Sequence, residues 1–265
     1  MKIEELVCEI AQSKNYRDVC PATIERIVAG EIPKYKSASD VLKSAKTKLH
    51  QITQSFFGSA QKKSAQKYFD AYTRTSNETE KINILNNICT LHSSTKERLA
   101  FAAQFYEDIF SHLPPIQTLA DIACGLNPIL LTQFAKNKNI SISAYDIDLG
   151  SIEILNQFFS TISPQNTAEG RDILQDIPNG KFDVVLLFKI LPLLEQQQKG
   201  YYKTLLTTLD TKHFVITFPT KTLGGKSIGM QNFYSTNFEE FLKTSPHKIV
   251  FKKEYQNELL YIIAK

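Results

Sequence analysis

Apolar positions along the first hundred residues recur three and four apart. Ile3, Leu6, Val7 and Ile10 form one such stripe, and Ile24, Ile27 and Val28 another. That spacing puts side chains on one face of a helix and predicts helices rather than strands. Pro21, ahead of Ala22-Thr23-Ile24-Glu25, fits the first turn of a helix, where the N–H it lacks has no partner anyway. Ser39-Asp40 is placed to cap a helix carrying Val41, Leu42, Ala45 and Leu49. With Gly30 and Gly58 as its only glycines, the stretch 1–105 reads as a small all-α N-terminal domain.

From Thr118 the pattern changes. Thr118–Cys124, Ser141–Ile147, Phe182–Phe188 and His213–Phe218 are short apolar runs that read as buried strands, and Gln165–Gly170 is a weaker one. Helices over Ile129–Lys136, Gly150–Ser160 and Gln196–Leu209 fill the gaps. Such alternation predicts βαβ units and a doubly wound, mostly parallel sheet over 106–265. His247–Tyr255 and Glu258–Ile263, parted by a short turn at Gln256-Asn257, predict an antiparallel C-terminal hairpin. Pro114-Pro115 marks the seam between the two parts.

The 265 residues are 42% hydrophobic and 22% charged, a globular composition. No apolar run reaches the roughly 20 residues of a membrane span. Met1-Lys2-Ile3-Glu4-Glu5 has acids where a secretory signal has an apolar core, so a cytoplasmic protein is expected. Cys8, Cys20, Cys89 and Cys124 lie far apart, and the histidines lack ligand spacing, so neither a disulfide framework nor a metal is expected. The net charge of +4 is uneven. Residues 1–105 hold 16 Lys+Arg against 11 Asp+Glu, and 106–265 hold 15 against 16. Lys34, Lys36, Lys43, Lys46, Lys48, Lys62, Lys63 and Lys67 share their stretch with one acid, Asp40. A solvated helical surface can look like this, but so local an excess points to a polyanionic partner.

Several positions carry candidate chemistry. The first strand runs into Asp121-Ile-Ala-Cys-Gly125-Leu-Asn-Pro128, a glycine turn at the ligand-binding corner of such a sheet. A single glycine and a proline without an N–H argue against a dinucleotide pyrophosphate there. Asp146, ending the second strand, can accept from both hydroxyls of a ribose, and Asp148 is placed as a helix cap. Asp172 can accept from an adenine amino group, with Ile173 against the ring. Lys189 interrupts the apolar run Phe188–Glu195, either as a snorkelling side chain or as a cleft residue. His92-Ser-Ser94-Thr95-Lys-Glu97-Arg98 begins a helix with Ser94 and Glu97 spaced as a capping box, and Arg98 can grip a carboxylate through two parallel bonds. The loop Phe218–Met230 holds Lys221, Lys226 and three glycines over the cleft.

Taken together and in order, these motifs, with Ala144-Tyr-Asp-Ile-Asp148 and Phe188-Lys-Ile-Leu-Pro-Leu-Leu-Glu195, resemble the aminoglycoside-resistance 16S ribosomal RNA methyltransferases of the Arm/Rmt family. The resemblance implies a Rossmann-like class I sheet that binds S-adenosyl-L-methionine (SAM) and methylates N7 of a guanine in the decoding A site of the 30S subunit. It implies cofactor contacts from His92, Ser94, Thr95, Arg98, Asp121, Ala123, Gly125, Asp146, Ile147, Asp172, Ile173 and Ile190, with Lys189 as the catalytic-cleft residue. Ribosomal RNA would meet Lys36, Lys43, Lys46, Lys48, Lys62, Lys63, Lys67, Lys221 and Lys226, and the enzyme would act as a monomer. Two alternatives compete: a methyltransferase for another RNA position or for a small molecule, and an RNA-binding protein on a decayed fold. A small-molecule enzyme does not explain the lysine stretch, and a decayed fold does not explain why Asp121, Gly125, Asp146 and Asp172 are all present.

Overall fold

The computed structural model describes residues 2–53, 59–135, 139–220 and 230–265. Helices come first: α1 (Ile3–Gln12), α2 (Pro21–Glu31), α3 (Ala38–Thr53), α4 (Ser59–Arg74), α5 (Glu78–Cys89), α6 (Ser93–Arg98) and α7 (Ala102–Ser111). Strands and helices then alternate: β1 (Thr118–Ile122), α8 (Asn127–Phe134), β2 (Ser141–Asp146), α9 (Leu149–Ile162), β3 (Thr167–Gly170) and β4 (Lys181–Phe188). After these come α10 (Leu191–Gln197), α11 (Tyr201–Thr208), β5 (Asp210–Pro219), α12 (Met230–Thr244), β6 (Lys248–Glu254) and β7 (Glu258–Ala264).

Among the described residues the strands form one sheet in the order β3-β2-β1-β4-β5-β7-β6. The first five are parallel, while β7 pairs antiparallel with both β5 and β6. This is the Rossmann-like sheet with a C-terminal hairpin that the alternating pattern predicts. The strand order reverses direction between β1 and β4, and a crevice opens there beyond the strands' C-terminal ends. One difference concerns the run 196–209. It is two helices, because Gly200 adopts φ 80 and its N–H is held by the Glu195 carboxylate at 2.8 and 2.9 Å. No helix among the described residues is long and apolar enough to cross a membrane.

The buried clusters show how the helices divide. Leu6, Ile10, Ile24, Ile27, Val28, Val41, Ala45, Leu49 and Ile52 of α1–α3 pack together as a lobe. Ile84, Leu85 and Ile88 of α5 and Phe105, Tyr106 and Ile109 of α7 instead share a core with one face of the sheet. Helices on either side of residue 105 therefore belong to one core, and the break between clusters falls after α3. Periodicity finds an apolar face but not the surface that it covers. Two main-chain bonds dock the lobe on the loop after β2: Cys20 N–H to Ile147 O and Leu149 N–H to Asp18 O, both 2.8 Å.

Local capping also differs from the sequence expectation. Helix α3 starts two residues earlier than a Ser39 cap would give, and Ser37 caps it: the Asp40 N–H donates to Ser37 Oγ at 3.1 Å, and Ser37 Oγ donates to the Asp40 carboxylate at 2.7 Å. Replacing Ser37 with Ala is expected to lower stability by about 1 kcal/mol in urea unfolding. Ser39→Ala should change it by less than about 0.5 kcal/mol. Equal effects would return the cap to Ser39.

Candidate active site

Three left-handed backbone positions shape the sheet's C-terminal edge. After β1 the chain turns through Ala123 at φ 55 and Gly125 at φ 49, and after β4 it turns at Lys189 with φ 58. Ala123 and Lys189 are the non-glycine residues with positive φ among those described. Each costs on the order of 1–2 kcal/mol and persists because surrounding bonds impose it. The Lys189 N–H, for example, donates to both Thr217 O (3.0 Å) and Thr217 Oγ1 (3.1 Å). At Gly125 a β-carbon would also lie 2.5 Å from the His92 ring, so that position needs glycine twice over.

A cavity of about 160 Å³ lies against these turns, lined by His92, Ser94, Thr95, Arg98, Ala123, Asn127, Asp146, Ile147, Lys189 and Ile190 among others. Ile52, from the helical lobe, closes part of its wall. Most of the residues singled out by sequence thus converge. Asp121 lies one hydrogen bond behind the lining, through Asn127 Nδ2 at 2.7 Å. A larger cleft of about 870 Å³ between α10, α11 and α12 has an aromatic lining but none of the unpartnered buried polar atoms described below.

Arg98 is the centre of the site's polar network. Its guanidinium is 1% exposed and donates to Asn127 Oδ1 and to Glu258 Oε1, each at 2.8 Å. It also lies over the Phe188 and Phe105 rings, at 4.6 and 5.3 Å from their centroids. Asn127 Oδ1 accepts from the Tyr106 hydroxyl as well. Lys189 Nζ sits 2.8 Å from Glu97 Oε2 and 3.2 Å from Glu258 Oε1, and Asn257 Nδ2 donates to the same Glu97 oxygen. Asn127 and Glu258 lie in runs that the sequence marks, Asp121–Pro128 and Asn257–Tyr261, but the sequence assigns neither of them a role. An acid opening the otherwise apolar run Leu259–Ile263 is the one local signal that marks Glu258.

Four buried atoms in or beside this network have no partner among the described residues: Arg98 Nε, Asp121 Oδ1, Asn257 Oδ1 and Glu258 Oε2. Burial pushes the Asp121 carboxyl up to about 7, and it pushes Asp146, beside Asp148, up to about 6. Burial, reinforced by the charges of Arg98 and Lys189, pushes His92 down to about 4, so its ring is neutral at pH 7. An unpaired donor and three unpaired acceptors held out of water suit a zwitterionic ligand group such as an amino acid.

Two carboxylates after β2 divide their work as the sequence predicts for the cap. Asp148 caps α9, accepting from Gly150 N–H at 2.9 Å and Ser151 Oγ at 2.8 Å. Asp146 accepts from Gly125 N–H at 2.8 Å and Asp148 N–H at 2.9 Å, which leaves each oxygen a lone pair for a hydroxyl. The capping box expected at Ser94 and Glu97 does not form. Helix α6 starts at Ser93 with His92 as its cap position, and Glu97 is drawn to Lys189 and Asn257 instead. Asp172 and Ile173 lie outside the lining. Asp172 is bonded by Arg26 Nε (2.7 Å) and Leu174 N–H (3.0 Å), and Ile173 packs into the core on the sheet's other face.

Folding also redistributes the lysine charge. Lys34 and Lys48 meet Glu31 at 2.7 and 2.6 Å, Lys46 meets Glu9 at 3.2 Å, and Lys62 meets Asp18 at 2.8 Å. Lys36, Lys43, Lys63 and Lys67 have no acid partner among the described residues. Lys221 and Lys226 lie outside the described residues.

Residues 12–262 match the ribosomal RNA methyltransferase (FmrO) family. A "16S rRNA (guanine(1405)-N(7))-methyltransferase" of Serratia marcescens is 35% identical over 100% of this chain and 99% of its own length. One from Micromonospora echinospora is 32% identical over 100% of this chain and 97% of its own. Among solved structures, the 16S rRNA methylase RmtB superposes with a TM-score of 0.86 at 32% identity, covering 100% of this chain and 99% of that one. The 16S rRNA methyltransferase RmtF, in complex with S-adenosyl-L-homocysteine, gives 0.87 at 32% over the same shares. With its sheet order, its strand-tip cavity and a match along nearly its whole length, the chain belongs to the FmrO family of ribosomal RNA methyltransferases.

Proposed function

We propose that the chain is a SAM-dependent methyltransferase that modifies N7 of a guanine in the decoding A site of 16S rRNA, within the 30S subunit, and so gives aminoglycoside resistance. It acts as a cytoplasmic monomer. The observation that carries this reading is the set of buried unpartnered atoms on Arg98, Asp121 and Glu258 beside the cavity. They fit the methionine end of SAM: Arg98 Nε faces a carboxylate, and the acids face an ammonium. His92, Ser94 and Thr95 support that end, Ala123 and Gly125 let the ligand lie close to the backbone, and Asp146 takes the ribose. Ile147 and Ile190 give the apolar walls, and Asp172 with Ile173 takes the adenine.

When bound, SAM supplies a methyl group already activated on a sulfonium. Guanine N7 has a free lone pair at neutral pH, so no side chain has to remove a proton. What the residues must supply is alignment and a fixed electrostatic setting. The site meets both needs, since His92 is neutral, Lys189 is held between two acids, and the turns on either side are fixed by main-chain bonds. Lys189 lines the cavity and keeps some exposure, so it is assigned to positioning a flipped-out guanine. Lys36, Lys43, Lys63 and Lys67 hold the RNA backbone, with Lys46, Lys48, Lys62, Lys221 and Lys226 assigned beside them.

The direct test incubates 30S subunits with protein and SAM, then cleaves N7-methylguanine with borohydride and aniline and maps the stop by primer extension. One new stop at a decoding-site guanine is expected, and a stop elsewhere would assign another target nucleotide. In calorimetry, Asp146→Ala should weaken SAM binding by about ten- to a hundredfold, the worth of lost ribose hydrogen bonds. Unchanged affinity would remove Asp146 from the ligand. Changing Lys36, Lys43, Lys63 and Lys67 together to Glu should cut 30S affinity steeply and flatten its salt dependence, with SAM affinity held within about threefold. Unchanged 30S binding would place the RNA contacts elsewhere.

A further inference from the structure

We infer that Arg26, on the helical lobe, is a positioning residue for recognition of the cofactor's adenine, acting through Asp172. This rests on the cofactor assignment proposed above. The Asp172 side chain is 3% exposed at the C-terminal tip of β3, and so buried a carboxylate needs strong partners. It has two. The Leu174 N–H holds Oδ1 at 3.0 Å, and Arg26 Nε holds Oδ2 at 2.7 Å. Arg26 also extends Nη2 to Gln197 Oε1 at 2.9 Å, so one guanidinium braces α2, the turn after β3 and α10.

Bonds from two directions fix the plane of the carboxylate and leave a second lone pair on each oxygen. A fixed plane gives those lone pairs a fixed aim. An ionised carboxylate only accepts, so it takes the amino group of adenine and repels a carbonyl oxygen at the same ring position. Arg26 therefore sets base discrimination without touching the base. Gln175 Nε2 donates to Ala22 O at 3.3 Å beside it, and the Cys20–Ile147 and Leu149–Asp18 main-chain bonds tie the same lobe to the loop next to Asp146. The lobe that carries the lysines of α3 and the adenine end of the cofactor site are thus joined through polar bonds.

The test compares S-adenosylhomocysteine with S-inosylhomocysteine, in which a carbonyl replaces the amino group, by calorimetry on the full chain. The unaltered protein is expected to prefer the adenosyl ligand by about tenfold or more. Arg26→Ala should reduce that ratio at least about threefold, and Arg26→Lys, which keeps the charge but loses the fork, should fall between. Should the alanine variant fail to fold, Arg26→Gln carries the same comparison. If both ligands weaken equally and the ratio holds, Arg26 is a structural brace and the inference is overturned. No preference in the unaltered protein overturns it too, while leaving the cofactor assignment standing. Failure of the unaltered protein to bind S-adenosylhomocysteine would remove that assignment itself, and the inference with it.

Discussion

The buried pairing of Arg98 with Glu258 is the constraint on which the rest of the site depends. The two residues lie 160 positions apart, on α6 and at the start of β7, and their exposures are 1% and 0%. Desolvating both charges costs several kcal/mol each, so neither can be buried unless the other arrives in hydrogen-bond geometry. That requirement pins the helical half to the hairpin and sets the height of β7 against β5, where Glu258 pairs with Pro219. Through Asn127 it reaches β1, and through Lys189 it reaches the tip of β4. Apolar residues of matching shape give comparable stability in many such positions. A charged pair with an unpartnered Nε and an unpartnered Oε2 is better explained by a ligand than by stability.

The helical half then has two roles. Helices α4–α7 complete the core of the sheet and deliver His92, Thr95 and Arg98 to its C-terminal edge. The lobe of α1–α3 packs separately, yet it reaches the cofactor loops through main-chain bonds and through Arg26. Four of the neighbouring lysines spend charge on Glu9, Glu31 and Asp18, which orders the surface and leaves a smaller, unpaired set to face an anion. The exposed Lys46–Glu9 pair adds little stability, whereas the buried Glu31 carboxylate needs Lys34 and Lys48 to offset its burial.

Much of this was legible in the sequence wherever the signal was local. Alternating apolar runs marked the strands, Gly125 marked the turn, and Asp146-Ile-Asp148 showed both the strand end and the cap. What escaped was set by partners distant in the chain. Nothing near Glu258 shows that it meets Arg98, and nothing near Arg26 shows that it meets Asp172. Counting charges along the stretch from Lys34 to Lys67 found one acid, but folding added Glu9, Asp18, Glu31 and Glu153 to its surroundings. Ser37, rather than Ser39, caps α3 because the helix starts two residues earlier than a Ser39 cap would give. The division of the cores after α3 was hidden for a similar reason: α5 and α7 carry ordinary amphipathic stripes, and only packing shows that they cover the sheet.

Whether the central pair serves the ligand or the fold is decided by replacing both partners. The Arg98→Met, Glu258→Leu double variant should unfold in urea within about 1–2 kcal/mol of the unaltered protein, since two apolar side chains can fill the space without leaving a bare charge. Its affinity for S-adenosylhomocysteine, measured by calorimetry, should fall by about a hundredfold or more, because the donor for the ligand's carboxylate is gone. A folded double variant that binds S-adenosylhomocysteine as tightly as the unaltered protein would contradict the assignment and leave the pair a purely structural one.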